Sequence, residues 1–139
     1  MENRFEKLVP YVPLILRVGL ALVFVFFGAD KLMNVDLNIS TFQLLPVPHM
    51  LPVATEVFLS AILELLVALL LLIGLWTRWV SFFAAVYIGL IVMLVGLSNV
   101  SRDVGLIAAA LALGILGDGK WSVGNALSGS EQSSRSGKA

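Results

Sequence analysis

The twelve residues VGLALVFVFFGA, Val18 to Ala29, carry no charge and no strongly hydrogen-bonding side chain. They lie between Arg17 and the pair Asp30 and Lys31. A backbone in hydrocarbon has no water to satisfy its N–H and C=O groups, so it must form a helix or a closed barrel. With its flanks the run covers Tyr11 to Met33, enough for the roughly 20 residues a membrane helix needs. Leu51 to Trp76, broken only by Glu56 and Glu64, and Trp79 to Leu97 are similar. The fourth apolar run, Val104 to Leu116, has only thirteen residues. It reaches span length, 102–121, if Arg102 snorkels at one end and Trp121 anchors the other. None of these runs alternates as barrel strands do. The sequence thus predicts an all-α, integral membrane four-helix bundle with spans near 11–33, 51–76, 79–97 and 102–121. Residues 1–10 form an N-terminal segment, and the Ser/Gly-rich stretch 122–139 is expected to be a disordered tail.

Composition agrees. The chain is 59% hydrophobic and 13% charged, against about 45–50% and about 25% in soluble domains. Its net charge of +0 gives no nucleic-acid footprint. It has no cysteine, which excludes disulfides, thiolate metal sites and iron–sulfur ligation by this chain. One histidine, His49, cannot supply bis-histidine haem ligation. No metal site, covalently bound cofactor or self-contained redox centre is expected. A cleavable leader is not expected either, because the first apolar run is long and is followed by the charged ADKLMN.

The connections are uneven. Thr77 and Arg78 alone should join the second and third spans, and SNVSR the third and fourth. The first connection is long and holds Pro46, Pro48 and Pro52; within it VDLNISTFQLL reads as a short interfacial helix. Basic residues set orientation. Arg4, Lys7, Arg78, Lys120, Arg135 and Lys138 fall on the side of the termini, Lys31 and Arg102 on the other, which puts both termini in the cytoplasm. Trp76, Trp79 and Trp121 then form a cytoplasmic aromatic belt. Asn38–Ser40 and Asn99–Ser101 match the glycosylation sequon, a pattern common by chance.

On a helical wheel Arg17, Ala21, Phe24, Gly28 and Lys31 make one stripe. Val57, Ser60, Glu64, Ala68 and Leu71 make a second, with Glu56 one step off it. Ala85, Gly89, Val92, Gly96 and Asn99 make a third. Small residues let helices approach closely in lipid, so these faces should point inward. Glu64 is the most informative residue. It lies near the centre of its span, where an ionised carboxylate costs roughly 2.5–3.5 kcal/mol, and it should be protonated or paired. Arg17 and Lys31 are the candidate partners, with Lys31 the more natural partner of Glu56 by depth. An outer polar cluster of Asp30, Lys31, Glu56, Arg102 and Asp103 is expected above Glu64. The bland reading is that Lys31, Glu56 and Arg102 are interfacial anchors, that Arg17 snorkels, and that a Glu64 pair fixes helix register. His49 reads as a loop residue.

These pieces together resemble the DoxX family of small membrane proteins, across residues 14 to 127. The matching pieces are the early arginine in LILRVGLALVF, the close FGADKL, the acid in LELLVALLLLIGL, the hairpin GLWTRW, and RDVGLIAAALAL with GDGKWSVGNAL behind it. The resemblance implies a multi-pass protein of a prokaryotic plasma membrane. Related DoxD-type subunits belong to a thiosulfate:quinone oxidoreductase, and DoxX-like members are linked to membrane oxidoreductase complexes. Members often carry an Asp in the final polar stretch; Gly124 and Asn125 stand there in this chain.

Three functions follow. The first is a membrane subunit of a quinone-linked oxidoreductase complex. Glu64 is its candidate catalytic group and Arg17, Lys31, Glu56, Arg102 and Asp103 its charge cluster; quinone is its implied cofactor and a larger oxidoreductase its partner. The second is a non-enzymatic scaffold or assembly factor, acting on a partner or as a homo-oligomer. The third is a small-solute or proton pathway.

Overall fold

A computed structural model describes residues 8–95 and 100–117 of the chain. Among these the structure is all-α. A 3-10 turn, Val9–Tyr11, leads into α1, Val12–Met33. The short α2 is Val35–Gln43, and the long helices α3, α4 and α5 are Val53–Ile73, Thr77–Val95 and Val100–Leu116. Pro13 stands in the first turn of α1, where a missing N–H costs nothing.

Three segments among the described residues are long and apolar enough to cross a membrane: Val9–Met33, Val53–Ile73 and Thr77–Leu94. The fourth long helix, α5, has 17 residues. At about 1.5 Å per residue that is roughly 25 Å, short of the ~30 Å hydrocarbon core. The expected extension of this helix to Trp121, the tail 122–139 and the start of the second sequon lie outside the described residues.

Two boundaries differ from those the sequence suggests. The helix expected from Leu51 starts at Val53, because Pro52 takes the N-cap position in an extended conformation (ψ 130°). The expected two-residue link Thr77–Arg78 is the first turn of α4. The reversal falls earlier, at Gly74 to Trp76, where Gly74 adopts φ 75° and caps α3 through its N–H to the Leu70 carbonyl. Trp76 is also left-handed, with φ 51°. A glycine reaches that region freely, so Gly74 ends the helix where a β-branched residue would not. The short helix expected within VDLNISTFQLL is present as α2. The Asn38 amide of the first sequon is engaged there, donating to the Asn34 carbonyl at 2.9 Å.

The main interfaces are α1 on α3 and α4 on α5, with α1 also touching α5. The buried face of α1 is Arg17, Leu20, Ala21, Phe24 and Gly28, the stripe drawn from the sequence with Leu20 added and Lys31 half-buried at its end. On α3 it is Val57, Ala61, Glu64, Val67, Ala68 and Leu71. On α4 the face is rotated from the small-residue stripe. Thr77, Val80, Ser81, Ala84, Ala85 and Ile88 are buried, whereas Gly89 and Val92 are only half-buried. The core joins these faces to Ala110 and Leu113 of α5.

Gly28 sets how closely α1 and α3 approach. A Cβ built there would lie 2.8 Å from Leu65 Cγ and 3.0 Å from the Ala61 carbonyl oxygen. The backbone of α1 therefore rests against α3 with no room for a side chain, as small residues allow in lipid-embedded helix pairs.

Candidate functional site

Gly28 also fixes the register of the charges. It packs between Ala61 and Leu65, so Lys31, one turn further along α1, comes opposite Ser60 and Glu64 of the antiparallel α3. Lys31 is thus about four residues, roughly 6 Å, from Glu64 in depth, and Arg17 about ten residues, roughly 15 Å. The ammonium reaches Glu64 and closes a two-pronged contact. Lys31 Nζ donates to Oε1 at 2.6 Å and to Oε2 at 2.8 Å. The Glu64 side chain has no solvent-exposed surface, and that of Lys31 is 13% exposed.

A third residue completes the group. The Tyr87 hydroxyl of α4 donates to Glu64 Oε1 at 2.9 Å. Its ring stacks on Phe83, with centroids 6.2 Å apart, and leans against Phe24 at 6.3 Å. One carboxylate thus ties together α1, α3 and α4. Wheel positions did not single out Tyr87. The signal was there: a lone phenol in the apolar AAVYIGL needs a partner for its hydroxyl.

The rest of the expected cluster divides. Arg102 and Asp103 come close to the Lys31–Glu64 pair. Together with Phe27, Ile88 and Ile91, these four charged residues line a cavity of about 150 Å³. Arg102 Nε donates to Asp103 Oδ1 at 3.0 Å, and its guanidinium lies 5.2 Å from the centre of the Phe27 ring. Glu56 goes elsewhere. His49 Nδ1 lies 2.7 Å from Glu56 Oε2, and the Leu51 N–H donates to Oε1 at 3.3 Å. Glu56 sits in the first turn of α3, and its carboxylate is taken by these loop partners, so it stays apart from Lys31. His49 is therefore a loop residue with a definite task, holding the end of the proline-rich connection to α3. Asp30 is exposed and accepts from Asn34 Nδ2 at 2.7 Å, tying α1 to the start of α2. Arg17 is buried near the other end of α1, below Leu20. The structure thus brings Lys31, Glu64, Arg102 and Asp103 into one compact centre, adds Tyr87 to it, and places Glu56, Asp30 and Arg17 apart.

A second, larger cavity of about 290 Å³ lies beneath α2. Lys31, Asn38, Thr41, Ser60 and Tyr87 form its polar wall, and Phe42, Leu45, Leu90, Ile91 and Leu94 its apolar wall. Lys31 and Ile91 line both cavities; Tyr87 faces only the larger and Glu64 only the smaller.

The DoxX family profile matches residues 12–97, which span α1 to α4. The chain belongs to the DoxX family. With its three membrane-spanning-length helices it is a membrane protein of that family. The match includes Lys31, Glu64 and Tyr87 and stops before α5, so Arg102 and Asp103 join this centre from outside the matched segment. Neither the curated proteins nor the solved structures gave a match.

Proposed function

We propose that this DoxX protein is a multi-pass subunit of a prokaryotic plasma membrane, associated with a quinone-linked oxidoreductase complex, and that its quinone site is the cavity beneath α2. The observation that carries the reading is a carboxylate buried in apolar surroundings, held by two side chains that also face a cavity with an apolar wall. Buried charges are costly and are kept chiefly where they pair or act.

The residues present fit such a group. A quinone carbonyl needs a hydrogen-bond donor, and Lys31 on the cavity wall keeps one N–H beyond the two it gives to Glu64. Its apolar chain needs an apolar lining, which Phe42, Leu45, Leu90, Ile91 and Leu94 supply. The cavity is near the lower bound of ordinary ligand sites, about 300 Å³, which suits a single ring with its chain leaving toward lipid. A bound quinone would supply the two-electron chemistry that a chain without cysteine lacks, with electrons coming from the partner. The protein's own part is to bind and orient the head, exclude water and manage charge at Glu64.

The same reading extends α5 to a fourth span, places both termini in the cytoplasm and sets the Lys31 end of the helices at the outer face. It follows from the basic-residue bias among Arg78, Lys31 and Arg102 and the terminal segments. The test is titration of purified protein with a short-chain quinone analogue, with thermal stabilisation as readout, beside Glu64→Gln in the intact complex. Saturable stabilisation that Lys31→Met weakens supports the site. Absence of stabilisation, together with full complex activity in Glu64→Gln, overturns it in favour of a scaffold.

A further inference from the structure

The two cavities meet at a hydrogen-bonded wall. Tyr87 faces the larger, Glu64 faces the smaller, and the phenol donates to the carboxylate between them. From this arrangement we infer that Tyr87, Glu64 and Asp103 form a proton path that joins the cavity beneath α2 to the Arg102–Asp103 cavity. The path rests on the quinone reading only for what fills the larger cavity; its own residues and geometry stand without it.

Each member has the chemistry that its place requires. A phenol hydroxyl both donates and accepts, so Tyr87 can take a proton from the larger cavity while giving its own to Glu64 Oε1. In that step one O–H bond of Tyr87 breaks as another forms, and the residue ends as it began. Glu64, now protonated, passes its proton into the smaller cavity. That space, about 150 Å³, has room for a few water molecules at roughly 30 Å³ each. The proton then forms an O–H bond on the Asp103 carboxylate and leaves Glu64 ionised again. Asp103 then gives that proton up at the open side of the cavity and is a carboxylate again, so one proton enters, one leaves, and no electrons move.

Four groups on three helices face Glu64. Lys31 on α1 faces it directly, Tyr87 on α4 donates to it, and Arg102 and Asp103 on α5 face it across the smaller cavity. The two cations and two carboxylates sum to zero. Asp103 is 8% exposed and held by Arg102, whose side chain is 56% exposed. The path thus ends beside a side chain that reaches the surface, so the smaller cavity is its mouth.

Infrared spectroscopy of the full chain in lipid nanodiscs, after a rapid drop in pH and without added quinone, tests the path. The carboxylic C=O stretch of Glu64, identified by its loss in Glu64→Gln, reports arrival of the proton. Asp103→Asn should delay that band by roughly 100-fold, the usual scale of a lost proton-transfer group. Tyr87→Phe alone should leave it fast, because the smaller cavity still serves Glu64. The double variant should be slower than Asp103→Asn, because Tyr87 supplies the remaining route. A Glu64 band that never appears, an Asp103→Asn rate equal to that of the unaltered chain, or a double variant no slower than the single would each overturn the path. Quinone titration of the same samples separates the two ideas. Fast protonation without quinone binding removes only the quinone reading; binding with an unaffected Asp103→Asn rate removes only the path.

Discussion

Replacing Gly28 by alanine tests both the packing and the charge centre, because one contact sets them both. The new Cβ would sit 2.8 Å from Leu65 Cγ and 3.0 Å from the Ala61 carbonyl oxygen. Leucine Cγ is a branch point, and the carbonyl belongs to the helix itself, so neither gives way cheaply. Relief requires α1 and α3 to separate by several tenths of an ångström or more. Overpacking of this kind costs about 1–3 kcal/mol. Alanine's better helix propensity returns up to ~1 kcal/mol, which leaves a net loss of about 0–3 kcal/mol. The separation also acts on the 2.6 Å Lys31–Glu64 contact one turn away. Gly19→Ala is the matched control. It lies on the same helix, and its Cβ would meet nothing within 4 Å, so only the propensity gain remains, up to ~1 kcal/mol. Thermal unfolding in detergent should therefore rank Gly19→Ala at or above the unaltered chain and Gly28→Ala below it. The Glu64 infrared band should move only in Gly28→Ala. Equal melting temperatures for the two variants would refute the close approach of α1 to α3, and with it the register that pairs Lys31 with Glu64.

Three further outcomes are expected. Lys31→Met leaves a buried carboxylate without its main partner and should destabilise by about 3–5 kcal/mol; adding Glu64→Leu should restore much of that loss, because an apolar pair of similar size avoids the desolvation penalty, and chemical denaturation of the two variants measures the difference. Ser81→Ala should be neutral or stabilising by up to about 1–3 kcal/mol, since the Ser81 hydroxyl is fully buried with no hydrogen-bond partner among the described residues and its removal leaves no orphan; a marked drop in melting temperature would show a partner for it. Glu56→Gln should loosen the loop around His49 and Leu51, seen as faster proteolysis between Pro46 and Pro52, and leave the Glu64 band unchanged; a shifted Glu64 band would join Glu56 to the centre after all.

Much of the site was legible before the fold. Periodicity put Arg17, Ala21, Phe24 and Gly28 on one buried face, because a helix in a bundle repeats its contacts every 3.6 residues whatever its neighbours are. The isolation of Glu64 in an apolar run marked it as a residue needing a partner. Depth counted from the ends of the runs served less well. It placed Arg17 nearest to Glu64 and Lys31 beside Glu56, because the start of α3 was set at Leu51 and the offset between the two helices was unknown. The face of α4 follows the small-residue stripe only in part: Ala85 is buried, but Gly89 and Val92 are half-buried while Thr77, Ser81, Ala84 and Ile88 turn inward, since small side chains are tolerated on more faces than they define; Gly96 and Asn99 lie outside the described residues. Tyr87 was missed because a phenol in an apolar run resembles its phenylalanine neighbours until its hydroxyl is seen to meet an acceptor.

The sequence by itself determined that the chain is helical, lies largely in an apolar medium and buries one acid far from either end of its helix. Those properties depend on local composition and on the requirement that backbone groups be satisfied where water is absent. It also carried the DoxX identity, which the family match over residues 12–97 shows. Only the tertiary structure decided which charges meet. That choice rests on a non-local distance, the approach of Gly28 to Ala61 and Leu65, which slides α1 along α3 until Lys31 comes within reach of Glu64. A shift of one helical turn, about 5.4 Å, would have left the same residues on the same faces with different partners.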